Sequence, residues 1–150
     1  MTEQAARQIL SWTYPPPYDL YNGELTEEGL KEFAENPYYA IHNQDKELVG
    51  FYCKGFAAQV PIGYFFSAYP EGYMDIGLGM RPDLTGKGKG TEFLTCIMST
   101  LEQEERPEPL RLTVAEFNKR AIALYEKIGF QKVSEFANAS DMIFWVMTKV

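Results

Sequence analysis

The sequence is poor in histidine and cysteine, and it contains no long apolar run. Its 150 residues include one histidine, His42, and two cysteines, Cys53 and Cys96, which form no CxxC pair. A zinc site built from cysteine and histidine is excluded, and we expect no bound metal. Both cysteines lie in apolar patterns, so we expect two reduced thiols that pack as small core residues.

The sequence also shows no pattern typical of a membrane-spanning helix or of an export signal. No apolar run approaches the ~18 residues that a membrane-spanning helix needs, and no N-terminal stretch resembles a signal peptide. We therefore expect a cytoplasmic protein with no membrane partner. The length fits a single domain over residues 1–150, large enough to bury a core without disulfides.

Basic residues are outnumbered: 14 lysines and arginines face 21 acidic residues, which gives a net charge of −7. Binding to nucleic acid requires a basic face, so nucleic acid is not expected as a partner. An acidic surface would attract a cationic substrate such as an amine, although the same charge also serves solubility.

The periodicity of apolar residues predicts helices over about 3–12, 27–36, 91–105 and 119–128. Thr26 and Asn118 are predicted N-caps of the second and fourth helices, and Gly129 is predicted to end the fourth. Strands are predicted over 38–43, 47–56, 73–80, 110–114, 130–137 and 142–149, while 61–68 fits either a short strand or a packed loop. This layout predicts an α+β (mixed α/β) domain with helices packed on a sheet.

A loop rich in glycine and lysine precedes the third predicted helix. Gly86, Gly88 and Gly90 alternate with Lys87 and Lys89. Residues 81–90 carry three basic side chains and one acidic one, a local charge of +2 in an acidic chain. Glycines before a helix leave backbone N–H groups free for an anion, so the loop predicts a phosphate site. The alternative is a solvated surface turn.

Two common phosphate loops do not fit this stretch. A Walker A loop needs Gly-Lys followed by Ser or Thr, which does not occur here. The dinucleotide pattern G-x-G-x-x-G lacks its third glycine. A nucleotide-phosphate binder of another fold remains an alternative.

The loop instead resembles the coenzyme A loop of the GNAT superfamily of N-acetyltransferases, [QR]-x-x-G-x-[GA]. Gly88 and Gly90 match it, whereas Thr85 stands where the family has Arg or Gln. Downstream, Asn118, Ala121, Leu124-Tyr125 and Gly129-Phe130 resemble the family's N-x-x-A-x-x-[LF]-Y-x-x-x-G-F segment. The two motifs occur in the family's order.

The resemblance implies a mostly antiparallel central sheet with helices on both faces and with acetyl-CoA bound between two splayed strands. The strand ending at Met80 would part from the one that starts at Leu110 and hold the pantetheine arm. Asn118 would contact the cofactor arm, or act as a plain helix cap. The implied cofactor-binding residues are Leu78, Gly79, Met80, Gly86, Lys87, Gly88, Lys89, Gly90, Thr91 and Asn118.

The resemblance also implies the catalytic groups. Tyr125 would be the general acid that protonates the leaving thiolate, and the backbone N–H near Met80 would stabilise the oxyanion. Many relatives place a glutamate base on the following strand, but the matching Thr113 carries no carboxylate. Asp75 is the predicted general base, with Glu116 and a chain of waters as alternatives.

The implied activity is direct transfer of an acetyl group to a primary amine, on a protein N-terminus, a lysine or a small molecule. The aromatic stretch from Tyr14 to Tyr21, which includes Asp19, would form the acceptor wall, or else a packed lid. A monomer or homodimer is expected. A non-catalytic module that binds or senses acyl-CoA is the alternative function.

Overall fold

The structure is a computed structural model that describes residues 1–104 and 109–149. The described residues form four α-helices and six β-strands. The helices are α1 (Glu3–Leu10), α2 (Glu27–Glu35), α3 (Gly90–Glu104) and α4 (Lys119–Ile128). The strands are β1 (Tyr38–His42), β2 (Leu48–Lys54), β3 (Met74–Met80), β4 (Leu110–Ala115), β5 (Gln131–Ala137) and β6 (Ile143–Lys149). The predicted end of the third helix, at residue 105, lies outside the described residues.

The predicted caps of the second and fourth helices are confirmed. The hydroxyl of Thr26 accepts a hydrogen bond from the backbone N–H of Gly29 at 3.0 Å. The side-chain oxygen of Asn118 does the same for Ala121 at 3.1 Å. Gly129 ends α4 with φ +117°, a left-handed conformation in which glycine avoids the strain of a Cβ.

The six strands form one sheet in the order β1-β2-β3-β4-β6-β5. Every neighbouring pair is antiparallel except β3 and β4, which run parallel. The expected mostly antiparallel sheet is therefore confirmed. The one parallel pair lies at its centre, where β3 leads through the glycine-rich loop into α3.

Helices cover both faces of the sheet, as expected. One face buries α3 and α4 against the largest apolar cluster, which includes Leu94, Ile97, Phe130 and Met147. On the other face, α1 and α2 pack over β1 and β2. Their apolar cluster consists of Ala5, Ala6, Ile9, Leu10, Phe33 and Leu48. Among the described residues, no helix is long and apolar enough to cross a membrane.

The stretch between β2 and β3 differs from the prediction. β2 ends at Lys54 rather than residue 56, because Gly55 turns the chain with φ +70°. Residues Pro61–Phe66 form a 3-10 helix, so the short strand considered for 61–68 is absent, because Pro61 lacks the N–H that a strand ladder needs. The buried Gly63 and Ala68 fit the packed loop that was the alternative. Phe65 in this helix and Phe56 in the preceding turn are both more than 80% exposed.

The prediction for the cysteines was right for one of them. Cys53 is buried beside Gly77, and burial raises the pKa of its thiol to about 12. Cys96 is exposed, since it lies beside the buried stripe of α3 formed by Phe93, Leu94 and Ile97 rather than within it.

Candidate active site

The strands β3 and β4 pair only where they begin. Met74 aligns with Leu110 and Asp75 with Arg111, and no further pairing joins the two described strands. Beyond this point β3 stays bonded to β2, and β4 stays bonded to β6. The two strands therefore enclose a wedge-shaped opening in the middle of the sheet, between residues 76–80 and 112–115.

Two residues of β3 point their backbone groups into this opening. The N–H of Arg81 donates to Val49 of β2 at 2.8 Å. Because backbone groups alternate in direction along a strand, Gly79 also faces β2, whereas Leu78 and Met80 face the opening. The Met80 carbonyl has a partner, because it accepts a hydrogen bond from the Tyr14 hydroxyl at 2.6 Å.

The glycines of β3 are explained by packing within the sheet. A Cβ on Gly79 would lie 2.3 Å from the ring of Phe51, and one on Gly77 would lie 2.9 Å from the sulfur of Cys53. Both clashes are with side chains of β2. Close approach of a ligand is therefore not needed to account for glycine at either position.

The loop from Thr85 to Gly90 presents free amides at the start of α3. Gly86 and Gly88 have φ of +71° and +75°, while Lys87 between them is not left-handed. This alternation makes neighbouring N–H groups converge on a concave anion site. Among the described residues, the N–H groups of 86–92 meet no protein acceptor. The helix dipole of α3 adds positive potential there.

The cations around this loop are not equivalent. Arg81 is held by Asp83, with Nε to Oδ1 at 2.6 Å, and by Glu47 at 3.6 Å. The hydrogen bond from Arg81 lowers the pKa of the Asp83 carboxyl. Lys87 and Lys89 lie on the loop itself. Arg120 of α4 also reaches it, because a Cβ on Gly86 would lie 2.9 Å from its Nη1.

Asn118 has a second partner besides its cap. Its side-chain N–H donates to the hydroxyl of Tyr21 at 3.2 Å, while its oxygen caps α4. The ring of Phe117 lies 6.1 Å from that of Tyr18 and 6.0 Å from that of Tyr21. The aromatic stretch therefore docks on the first turn of α4, and Asp19 within it is exposed.

Tyr125 lies in the core beneath this turn. It is 8% exposed, and its ring packs edge-on against Phe130 at 6.0 Å. Burial is the main reason that the pKa of its phenol lies well above the ordinary value, with the nearby Tyr21 contributing. Burial thus favours the neutral phenol, the form that any tyrosine also has at neutral pH.

Asp75 is engaged in a buried ion pair. Its carboxylate oxygens accept hydrogen bonds from Nε and Nη2 of Arg111, both at 2.7 Å, and from the side chain of Gln59 at 2.8 Å. The side chains of Asp75 and Arg111 are only 5% and 3% exposed. These contacts favour a structural role over that of a general base, which needs a carboxylate free to accept a proton.

Glu116, the other carboxylate considered, accepts a hydrogen bond from the indole N–H of Trp145 at 2.9 Å. Trp145 packs against the core under α3 and α4. Thr113 shares a hydrogen bond with the Tyr69 hydroxyl at 2.8 Å. Within the part of the chain that the structure describes, no three acidic, histidine or cysteine side chains group as metal ligands.

A family comparison identifies this arrangement. The model of the acetyltransferase (GNAT) family matches residues 4–130, most of the chain. The chain belongs to the GNAT acetyltransferase family. Its members use acetyl-CoA as the acyl donor.

Curated relatives include the mycothiol acetyltransferases of Streptomyces coelicolor and Streptomyces avermitilis. Each is 31% identical over 113 residues, or 72% of this chain. The chain spans only 33% of the length of these relatives.

Solved structures confirm the GNAT fold. An aminoglycoside acetyltransferase in complex with coenzyme A superposes with a TM-score of 0.74 at 19% identity, covering 100% of this chain and 91% of that one. A spermidine N-acetyltransferase from Vibrio cholerae gives 0.69 at 16% identity, with 100% and 92% covered. At such low identity the likeness concerns the fold alone.

Three contacts around this candidate site were not predicted from the sequence. The contact of Tyr14 with Met80, the pairing of Asp75 with Arg111 and the approach of Arg120 to the loop all join distant parts of the chain. One of these contacts could have been suspected from the sequence. Arg120 lies two residues after Asn118, in the first turn of the helix that Asn118 caps.

Proposed function

We propose that residues 1–150 act as one domain that transfers an acetyl group from acetyl-CoA to a primary amine, directly within a ternary complex. One observation carries this proposal. The opening between β3 and β4 leads to a loop of free amides at the start of α3, and the buried, protonated Tyr125 lies on the adjoining helix α4.

Leu78 and Met80 are proposed to bind the pantetheine arm through the backbone groups that face the opening. The amides of the loop, contributed by Gly86, Lys87, Gly88, Lys89, Gly90 and Thr91, are proposed to bind the pyrophosphate. The oxygen of Asn118 caps α4 and one N–H of its amide donates to Tyr21, so the second N–H is proposed to contact the cofactor arm. Gly79 has a smaller part, because its backbone faces β2.

The cofactor supplies an activated acetyl thioester, and the protein supplies the proton transfers around it. Tyr125 is the proposed general acid, because it lies on α4 in the segment that matches the family's motif and its phenol carries a proton for the departing thiolate at neutral pH. The backbone N–H of Met80 faces the opening, where it can stabilise negative charge that develops on the thioester oxygen.

The contacts of the candidate carboxylates favour removal of the amine proton through water. Asp75 is held by three donors from Arg111 and Gln59. Glu116 is bound to Trp145. An amine with a pKa near ~10 can also lose its proton to solvent before attack. The rate should then rise with pH toward the pKa of the chosen amine, and Glu116→Gln should leave that profile unchanged.

The acceptor is proposed to be a cationic amine. The chain carries a net charge of −7, and the aromatic stretch from Tyr14 to Tyr21 lies beside the opening. The structural neighbours include enzymes whose names give aminoglycosides and spermidine as substrates. A small polyamine or amino sugar suits this surface better than a lysine or N-terminus of a protein. The protein itself is proposed to be a monomer or a homodimer.

The test has two stages. In the first, thermal unfolding is followed with acetyl-CoA, CoA, ATP or NAD, since a ligand at 100 times its dissociation constant adds about 2.7 kcal/mol of stability. A shift with acetyl-CoA but not with ATP or NAD supports the assigned site. No shift with either form of CoA contradicts it.

In the second stage, a panel of amines is incubated with acetyl-CoA and the protein, and acetylated products are detected by mass spectrometry. Turnover of a polyamine or amino sugar supports the enzyme. Tight binding of acetyl-CoA with no turnover of any amine would instead favour the non-catalytic acyl-CoA-binding module. Thr85 in place of Arg or Gln, and an Asp75 that is bonded to Arg111 and Gln59, would be consistent with that function.

A further inference from the structure

We propose that Arg120 is a pyrophosphate ligand of the cofactor, held in place by the ring of Tyr18. Arg120 would supply the side-chain hydrogen bonds that the family's Arg or Gln offers at the position of Thr85. This inference rests on the proposed cofactor site, and it adds a residue from α4 to a loop that precedes α3.

Arg120 lies at the loop although it is remote from it in sequence. Its Nη1 comes within 2.9 Å of where a Cβ on Gly86 would lie. Gly86 has φ +71° and begins the run of free amides. An anion bound by those amides would therefore be within reach of the guanidinium.

Two other candidates for this contact, Arg81 and Thr85, are already engaged, while Lys87 and Lys89 on the loop can meet an anion only as point charges. Arg81 is bound to Asp83 and Glu47, and it also donates to the carbonyl of Leu48 at 3.1 Å. The hydroxyl of Thr85 donates to the carbonyl of Pro82 at 2.7 Å. Arg120, by contrast, forms no ion pair within residues 1–104 and 109–149.

The chemistry of arginine suits this place. A planar guanidinium can bind two phosphate oxygens with parallel hydrogen bonds, which a lysine ammonium cannot do with the same geometry. Its stacking over an aromatic face leaves the N–H groups at the edge free for the ligand. Arg120 is stacked in this way, with its guanidinium carbon 4.3 Å from the ring centroid of Tyr18.

Tyr18 would act as a positioning residue. Its ring also packs near that of Phe117, at 6.1 Å, which fixes it against the first turn of α4. The aromatic stretch that is proposed to contact the acceptor would thus also order the guanidinium that contacts the cofactor. Binding of the pyrophosphate should in turn stabilise this stretch.

The experiment compares Arg120→Ala with Lys119→Ala. Both variants lose one exposed positive charge from the first turn of α4, but Lys119 points toward Trp145, with Nζ 5.6 Å from the ring centroid. Dissociation constants for CoA and for dephospho-CoA, which lacks only the 3′-phosphate, are measured by titration calorimetry. Arg120→Ala should weaken both ligands by about tenfold, as expected for one hydrogen-bonded charge, whereas Lys119→Ala should change neither by more than about twofold.

Each outcome bears on the proposal. Equal loss for the two ligands supports contact with the pyrophosphate. Loss for CoA but not for dephospho-CoA would place Arg120 at the 3′-phosphate and overturn it, as would unchanged affinity in Arg120→Ala. If the unmodified protein binds neither ligand, the cofactor site itself fails, which is a different result.

Tyr18 provides a separate check on the positioning role. Tyr18→Phe keeps the ring and should keep the affinity for CoA, whereas Tyr18→Ala should lose part of it. Combining Tyr18→Ala with Arg120→Ala should add nothing to the loss in Arg120→Ala. An additive loss would show that Tyr18 acts independently of Arg120.

Discussion

The two ends of the β3–β4 pair are built in opposite ways. At the closed end, Asp75 and Arg111 form an ion pair that is almost fully buried, and Arg111 also donates to the carbonyl of Pro70 at 2.6 Å. At the open end, the strands leave backbone groups of Leu78 and Met80 facing a gap. Side chains thus hold the strands together at the closed end, whereas at the open end the strands part and the proposed ligand contacts come from the backbone.

The closed end bears on the predicted role of Asp75 as a general base, which stays a prediction. Asp75 is the last residue of β3 that pairs with β4, and its partner Arg111 occupies the matching position on β4. Arg111 also lies 5.2 Å and 5.0 Å from the ring centroids of Tyr69 and Tyr73. The surroundings are those of a buried structural charge whose partners compensate its desolvation.

The largest expected effect is therefore at the closed end. Arg111→Met should lower the free energy of unfolding by about 3–5 kcal/mol, because it leaves the Asp75 carboxylate buried without its partner. Chemical denaturation measures this loss. Arg81→Met, which breaks the exposed pair with Asp83, is the control and should cost far less. Comparable losses in the two variants would show that the closed end has no special role.

The next effect concerns chemistry at the open end. Tyr125→Phe should reduce kcat about 100-fold, the lower range for loss of a general acid, with little change in the Kd of acetyl-CoA. Steady-state kinetics and calorimetry separate the two quantities. The variant should remain folded, since the hydroxyl forms no hydrogen bond with the described residues. An unchanged kcat would remove Tyr125 from the acid role.

A third variant tests the rim of the opening. Gly88→Val places a branched side chain at φ +75° beside the free amides and should weaken acetyl-CoA binding at least about tenfold, through loss of charged hydrogen bonds. Gly55→Val is a matched control, because Gly55 has φ +70° and, like Gly88, open space where a Cβ would lie. Similar losses of affinity in both variants would attribute the effect to backbone strain.

How much of the fold could be predicted from the sequence depends on how far apart the interacting residues are along the chain. The caps at Thr26 and Asn118 are local, so the helix starts could be read from a few residues. The 3-10 turns after β2 could not, because apolar runs such as Pro61–Phe66 fit several conformations.

The candidate site shows the same division. The loop at Gly88 and the segment at Tyr125 could be found from motifs, which are contiguous in sequence. The pairing of Asp75 with Arg111 joins residues 36 apart, and its register depends on the whole sheet. Periodicity contains no information on such a pairing, and the role predicted for Asp75 came from the family resemblance alone.

The smallest effect concerns Tyr14, whose hydroxyl reaches Met80 at the mouth of the open end. Tyr14→Phe should lower the free energy of unfolding by about 1 kcal/mol at pH 8, through loss of one hydrogen bond. Denaturation of both proteins measures this difference. The affinity for acetyl-CoA should not fall, because the Met80 carbonyl becomes freer for the ligand.

The pH dependence of that difference has a definite sign. Burial raises the pKa of Tyr14 from 10.0 to about 12 in the folded protein. The raised value stabilises the fold below pH 10, and the advantage is lost as the pH rises from 10 toward 12, where the unfolded phenol ionises first. The gap between the unmodified protein and Tyr14→Phe should thus shrink at pH 11. A gap that stays constant would contradict the raised pKa of Tyr14, whereas a fall in affinity for acetyl-CoA would place Tyr14 among the ligand-binding groups of the open end.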